Sequence, residues 1–203
     1  MTVPTREQAA QILVQLGAAK GLVRHSATVA EIAAFLAERL RERGHELPPD
    51  LVETAALLHD IDKTPPLREL RGALGHGWAG ASWLAGRGHE ELGAAILNHP
   101  ASRLTDDDHY RTWQHEASLA EKVVAYSDKR AMLDVVPLAE RYADWQRRRP
   151  ERSADIVRGK LIAEGLEREI CQAAGIEPAD VGRLPWVDAA LAAAQPVPST
   201  RTA

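Results

Sequence analysis

Leu51-Val52-Glu53-Thr54-Ala55-Ala56-Leu57-Leu58-His59-Asp60-Ile61-Asp62-Lys63 is the stretch from which the fold can be read. Leu51, Ala55 and Leu58 recur at intervals of three and four, the spacing of one buried helix face, and Pro48-Pro49-Asp50 in front supplies a helix start. His59-Asp60 closes the run, so an imidazole and a carboxylate stand together at the C-terminal end of a buried helix. Polar groups held away from water are costly without partners, so this pair must meet further polar groups.

The flanking sequence is helical almost throughout. Ala, Leu, Arg and Glu dominate, and alternating strand patterns are absent. Thr5 and Gln8 fit a capping box opening a first helix to about Ala19, with Ile12, Leu13 and Leu16 inward and Gly21 just beyond. From about Leu22 to Arg43, His25, Val29, Ile32, Leu36 and Leu40 share one face, which turns His25 inward. Pro65-Pro66 breaks the chain before a short helix near Leu67 to Leu74. His76 starts a helix to Ala85, bounded by Gly75 and Gly86-Arg87-Gly88. Leu92, Ile96 and His99 share a face of a helix from Glu90 to Asn98, which Pro100 ends.

Thr105 to Asp108 reads as a loop or cap. Ala117, Ala120, Val124 and Asp128 then form the inner face of a helix from Ala117 to Val136. Beyond Pro137, the spacing predicts a charged helix to Arg149, another from Ser153 to Ala174 closed by Gly175, and a last one from Trp186 to Ala194. The expectation is an all-α, single-domain helical bundle around a metal centre. Within it, residues 1–20 form an N-terminal helix on the core, 21–136 the domain carrying the site, 137–194 C-terminal helices on the same body, and 195–203 a disordered tail.

Composition bounds the function. At 203 residues and a formal net charge of -4, the chain has no overall basic surface for neutralising a nucleic-acid backbone. Its single cysteine, Cys171, makes no intrachain disulfide. No apolar run approaches the roughly 20 residues of a membrane span, and Met1 to Ala10 has no secretory-signal pattern. The expectation is a cytoplasmic protein with a small-molecule partner and no membrane or nucleic-acid partner, its oligomeric state left open.

Four of the eight histidines and one aspartate fall at helix ends or on apolar faces, and convergence on one site would satisfy them all. Imidazole-rich sets suit iron, manganese, cobalt or nickel, with zinc or magnesium as further candidates. The two oxygens of Asp60 suit it to bridge two cations.

The ordered set His25, His59-Asp60, His76, His99 and Asp128 resembles the HD-domain phosphohydrolase superfamily over about Gly21 to Asp134. Ala55 to Lys63 is similar to its central motif, and His76-Gly77-Trp78-Ala79-Gly80-Ala81 and Glu121 to Arg130 resemble two flanking ones. The resemblance implies that His25, His59, Asp60 and Asp128 hold one metal. It also implies that His76 and His99 add the ligands of two-metal members, such as bacterial symmetrical diadenosine tetraphosphate hydrolases and cyclic-nucleotide phosphodiesterases. Two positions depart from the pattern: Asp62 stands where many relatives carry glycine or alanine, and Asn98-His99-Pro100 replaces the more usual His followed by threonine.

The expected chemistry is hydrolysis of a phosphate ester or anhydride by a metal-bound hydroxide, with Asp60 and Lys63 catalytic and Lys63, Lys129 and Arg130 binding substrate phosphate. A nucleoside monophosphate, a dinucleoside polyphosphate and a cyclic nucleotide all fit such a centre. Two rivals are a mixed-valent di-iron oxygenase on the same ligands and a non-catalytic nucleotide sensor. Trp78, Trp83 and Trp113 are read as core, Asp106 to Asp108 with His109 and His115 as a capped, solvated helix start, and Arg147, Arg148, Arg149 and Arg152 as a solvated helix end.

Overall fold

The Thr5 capping box forms as its spacing requires: Thr5 Oγ1 accepts from the Gln8 amide at 3.2 Å and Gln8 Oε1 from the Thr5 amide at 2.8 Å. It opens α1 (Arg6–Gln15) in the computed structural model, which describes residues 3–194. This helix is shorter than expected. It ends four residues before Ala19, where Gly17, with φ +61°, turns the chain, and Gly21 lies inside the next helix, α2 (Lys20–Glu42). The third, α3 (Pro49–Leu58), starts on its proline and ends at His59.

A one-turn 3₁₀ segment (Ile61–Lys63) and a second at Pro65–Leu67 lead to α4 (Arg68–Leu74), none of whose residues is buried. Then come α5 (Trp78–Ala85), α6 (Gly93–Asn98), the single turn α7 (Ala101–Leu104) and α8 (Asp107–Glu116). Asp106 caps α8 by accepting from the His109 amide at 2.9 Å, as a solvated helix start should. A Ser118–Glu121 capping box opens α9 (Leu119–Lys129). This helix stops seven residues short of Val136, because an antiparallel bridge between Ala131 and Val135 folds the chain back. The remainder is α10 (Leu138–Arg148), α11 (Ser153–Ala174), closed by Gly175 at φ +67°, and α12 (Val187–Ala194). The expected tail at 195–203 lies outside the described residues.

The fold is all-α, and among the described residues no strand forms beyond that bridge. At the centre, α3 packs on α2, α9, α1 and α6. Leu57, Leu58, Val52 and Ala55 of α3 meet Ile32, Leu36 and Leu40 of α2 and Val123 and Val124 of α9, all fully buried. Each such leucine contributes about 2 kcal/mol of burial. The site needs this convergence, because α2, α3, α6 and α9 each carry a site residue on or just beyond them. Among the described residues no helix is long and apolar enough to cross a membrane.

Candidate metal centre

His59 caps α3, and its Nδ1 lies 2.7 Å from the Ala56 carbonyl oxygen, three residues back. His99 repeats this at the end of α6, with Nδ1 2.6 Å from the Ile96 carbonyl. His25 Nδ1, from α2, meets the Met132 carbonyl at 3.1 Å, and His76 Nδ1 meets Asp62 Oδ1 at 2.9 Å. A carbonyl or carboxylate oxygen only accepts, so all four histidines donate through Nδ1 and turn Nε2 towards the centre, where the Nε2 of His25 also lies within hydrogen-bond distance of Asp128 Oδ1. Anchoring one ring nitrogen while freeing the other is how proteins orient metal-binding imidazoles.

Those four Nε2 atoms converge on two carboxylates. Asp60 Oδ2 lies 3.3 Å from His59 Nε2 and 3.8 Å from His25 Nε2, while Asp60 Oδ1 lies 3.3 Å from His76 Nε2 and 3.6 Å from His99 Nε2. Asp128 Oδ1 closes the first group, 3.1 Å from His25 Nε2 and 3.7 Å from His59 Nε2. The two oxygens of Asp60 thus face two different histidine pairs. The rings stack edge to face along the row, His25 on His59, His59 on His99 and His99 on His76, with centroids 4.8 to 5.3 Å apart.

Burial alone would raise the Asp60 carboxyl, but the imidazoles of His59, His76 and His99 outweigh it and hold the group well below the ordinary carboxylate range. Asp128, at the edge of the cleft, is likewise held low: burial pushes it up, but the Lys129 ammonium and then His25 outweigh it. For His99, burial pushes the imidazole down to about 4 despite Asp60, so it is neutral at physiological pH. For His76 burial pushes down, but hydrogen bonds to Asp60 and Asp62 outweigh it and raise the imidazole above its ordinary value; ionised carboxylates and a neutral His99 are the protonation states that a cation takes.

His59 Nε2 and Asp60 Oδ1 are buried and make no hydrogen bond. Orphaned polar atoms in the core call for a bound cation, and three groups of site residues, His25-His59-Asp128, His59-Asp60-His99 and Asp60-Asp62-His76, each bring three ligand atoms within 4.8 Å of one another. The donor set therefore fits one or two divalent metals. The family model for the HD domain matches residues 22–133, more than half of the chain and the segment that holds all six residues. The chain belongs to the HD-domain family. Among curated proteins and among solved structures, none matches it. HD domains are generally metal-dependent hydrolases, and the one His-Asp dipeptide of the sequence is His59-Asp60.

The other residues expected at the HD site divide three ways. Lys63 Nζ reaches Asp60 Oδ2 at 2.5 Å and remains accessible from the cleft above the centre. Lys129 is only 1% exposed, and it donates to Asp128 Oδ2 at 2.6 Å and to the His99 carbonyl at 2.8 Å, tying two site residues together from behind. Arg130 turns into the core. Its Nη1 donates to the Tyr126 hydroxyl, Glu167 Oε2 and the Pro178 carbonyl, and its Nε to the Val136 carbonyl, so it links α9 to α11 and does not line the cleft.

Two residues contribute that the sequence reading missed. Asp62, fully buried, orients His76 and also accepts from the Gly77 amide at 2.7 Å; its signal was a second carboxylate two residues beyond Asp60. Arg141 lies 3.8 Å from Asp128 Oδ1 and lines the cleft together with Arg148, Arg149 and Arg152, the cluster expected to be merely solvated. Trp113 is core, as expected. Trp78 is not: it is half exposed, with the Arg103 guanidinium over its ring.

Proposed function

We propose that the protein is a phosphohydrolase that cleaves a phosphate ester or anhydride of a nucleotide at a two-metal centre. The convergence of four Nε2 atoms on the two oxygens of Asp60 and on Asp128 carries this reading. His25, His59, Asp60 and Asp128 would hold one cation, and Asp60, His76 and His99 the other. Bound divalent metals supply an activated water, its pKa lowered towards about 7, and charge neutralisation at phosphoryl oxygens.

The chain's own residues supply the rest. A cleft of about 830 Å³ opens onto His25, His76 and Asp128, a size suited to a nucleotide. Lys63 stands at its floor, where its ammonium binds a phosphoryl oxygen and balances the charge of Asp60. Lys129 holds Asp128 and the His99 backbone in register from the protein side. Tyr142 and Trp145, 4.9 Å apart edge to face, give the cleft an aromatic wall for a base or sugar.

The test is phosphate release by manganese-, iron- or cobalt-loaded protein, without oxygen, across nucleoside monophosphates, nucleoside polyphosphates and cyclic nucleotides. Release from at least one class, abolished by Asp60→Ala, is expected. No release from any of them, with oxygen consumed when air is admitted with substrate, would replace the hydrolase with an oxygenase.

A further inference from the structure

The HD segment ends before α10, yet α10 and the start of α11 form the far wall of the cleft. Arg141, Trp145 and Arg148 recur on α10 at intervals of four and three, so they share one face. The distance along the axis from Arg141 to Arg148 is about 10 Å at 1.5 Å per residue. Arg149 and Arg152, in the turn into α11, extend the same basic wall.

The charges along this wall do not cancel. Arg148 pairs with Asp144, which Arg147 also contacts, and Arg152 pairs with Asp155 at 3.1 Å. Among the described residues, Arg149 has no ion-pair partner. Arg141 is 9% exposed, its guanidinium lies over the Trp145 ring at 4.6 Å, its Nε makes no hydrogen bond, and its one carboxylate neighbour, Asp128, is 3.8 Å away. A guanidinium that lines the cleft and is paired only loosely, with Asp128, is placed to receive an anion, since Arg offers planar paired donors to phosphate.

We propose that Arg141 and Arg149, backed by Arg148 and Arg152, form an anion subsite for a second phosphate of the substrate, beyond the one held at the metal centre. This rests on the phosphohydrolase reading and narrows it: the substrate carries at least two phosphates, in a chain or at two ends, and a single small phosphate ester fills half of the site. Arg141, between Asp128 and Trp145, marks where the two halves meet.

Calorimetry with inorganic tripolyphosphate and orthophosphate tests it on the metal-loaded protein, with manganese in excess, and on metal-free Asp60→Ala, where the arginine wall and Lys63 remain. Both proteins should bind tripolyphosphate about tenfold or more tighter than orthophosphate. Arg141→Gln with Arg149→Gln should abolish that preference in both, whereas Arg87→Gln with Arg168→Gln, outside the cleft, should keep it. Equal affinity for the two anions in metal-free Asp60→Ala, or a preference that survives the Arg141 and Arg149 double substitution, overturns the subsite. Phosphate release from nucleotides stands apart from this: its absence beside an intact tripolyphosphate preference removes the hydrolase reading and supports the subsite, and release without the preference does the reverse.

Discussion

Asp62 Oδ1 lies 2.9 Å from His76 Nδ1 while Asp62 Oδ2 takes the Gly77 amide at 2.7 Å, so one carboxylate fixes both the ring and the backbone of a candidate ligand. His76 precedes α5 by two residues and has no helix to orient it. Asp62 supplies the orientation that Ala56 and Ile96 give to His59 and His99 through their carbonyls.

Asp62→Ala should therefore weaken metal binding at the His76 side about 10- to 100-fold, in the range for partners that orient a ligand. Metal titration with a competing chelator reads this directly. Unchanged affinity would show that His76 is held by other means.

Gly77 has φ +84°, and a Cβ there would lie 2.9 Å from the Leu97 carbonyl oxygen and 3.1 Å from Pro100 Cγ. Gly77→Ala combines a backbone penalty with a clash against the turn that carries His99, and should cost roughly 1 to 3 kcal/mol of stability. Urea unfolding checks it; a midpoint equal to wild type would contradict the turn as described.

Arg130 separates a structural from a substrate role. Its guanidinium is buried and bonds Glu167 at 2.9 Å and Tyr126 at 2.6 Å, so Arg130→Ala strips the cation from a partly buried carboxylate that keeps only the Tyr126 hydroxyl, and should cost roughly 1 to 3 kcal/mol. Denaturant unfolding should show this loss. A stable Arg130→Ala protein with a large rise in KM would return Arg130 to the substrate.

These cases show what was legible in the sequence and what was not. His25, His59, Asp60, His76, His99 and Asp128 stood out because each is a polar group on an apolar helix face or at a helix end, a pattern that periodicity exposes. The ends of α1 and α9 did not, since Gly17 and the Ala131–Val135 bridge act through local turn geometry that a 3.6-residue period does not encode. Lys129 and Arg130 are adjacent in sequence to Asp128, but they leave α9 in different directions, and only packing against α11 decides that Arg130 faces inward. The cluster from Arg147 to Arg152 reads as surface until α10 is folded back over the centre, a long-range contact without a local signal.

Cys171 is 3% exposed, and burial raises its thiol, with the Tyr126 hydroxyl 3.9 Å away. The thiolate is the reactive form, so a raised pKa means less of it at pH 8 in the folded state than in the unfolded. Thiol labelling at pH 8 should be slow in native protein and complete on denaturation. Fast stoichiometric labelling of native protein would contradict the packing of α9 on α11.

The most direct test is the metal content of protein purified without added metal, for wild type and Asp60→Ala, by elemental analysis. The account predicts about two transition metals per chain in wild type and their loss in Asp60→Ala, because the two oxygens of Asp60 face the two halves of the histidine row, one each. No bound metal in wild type, even after reconstitution with iron, manganese or cobalt, would contradict it.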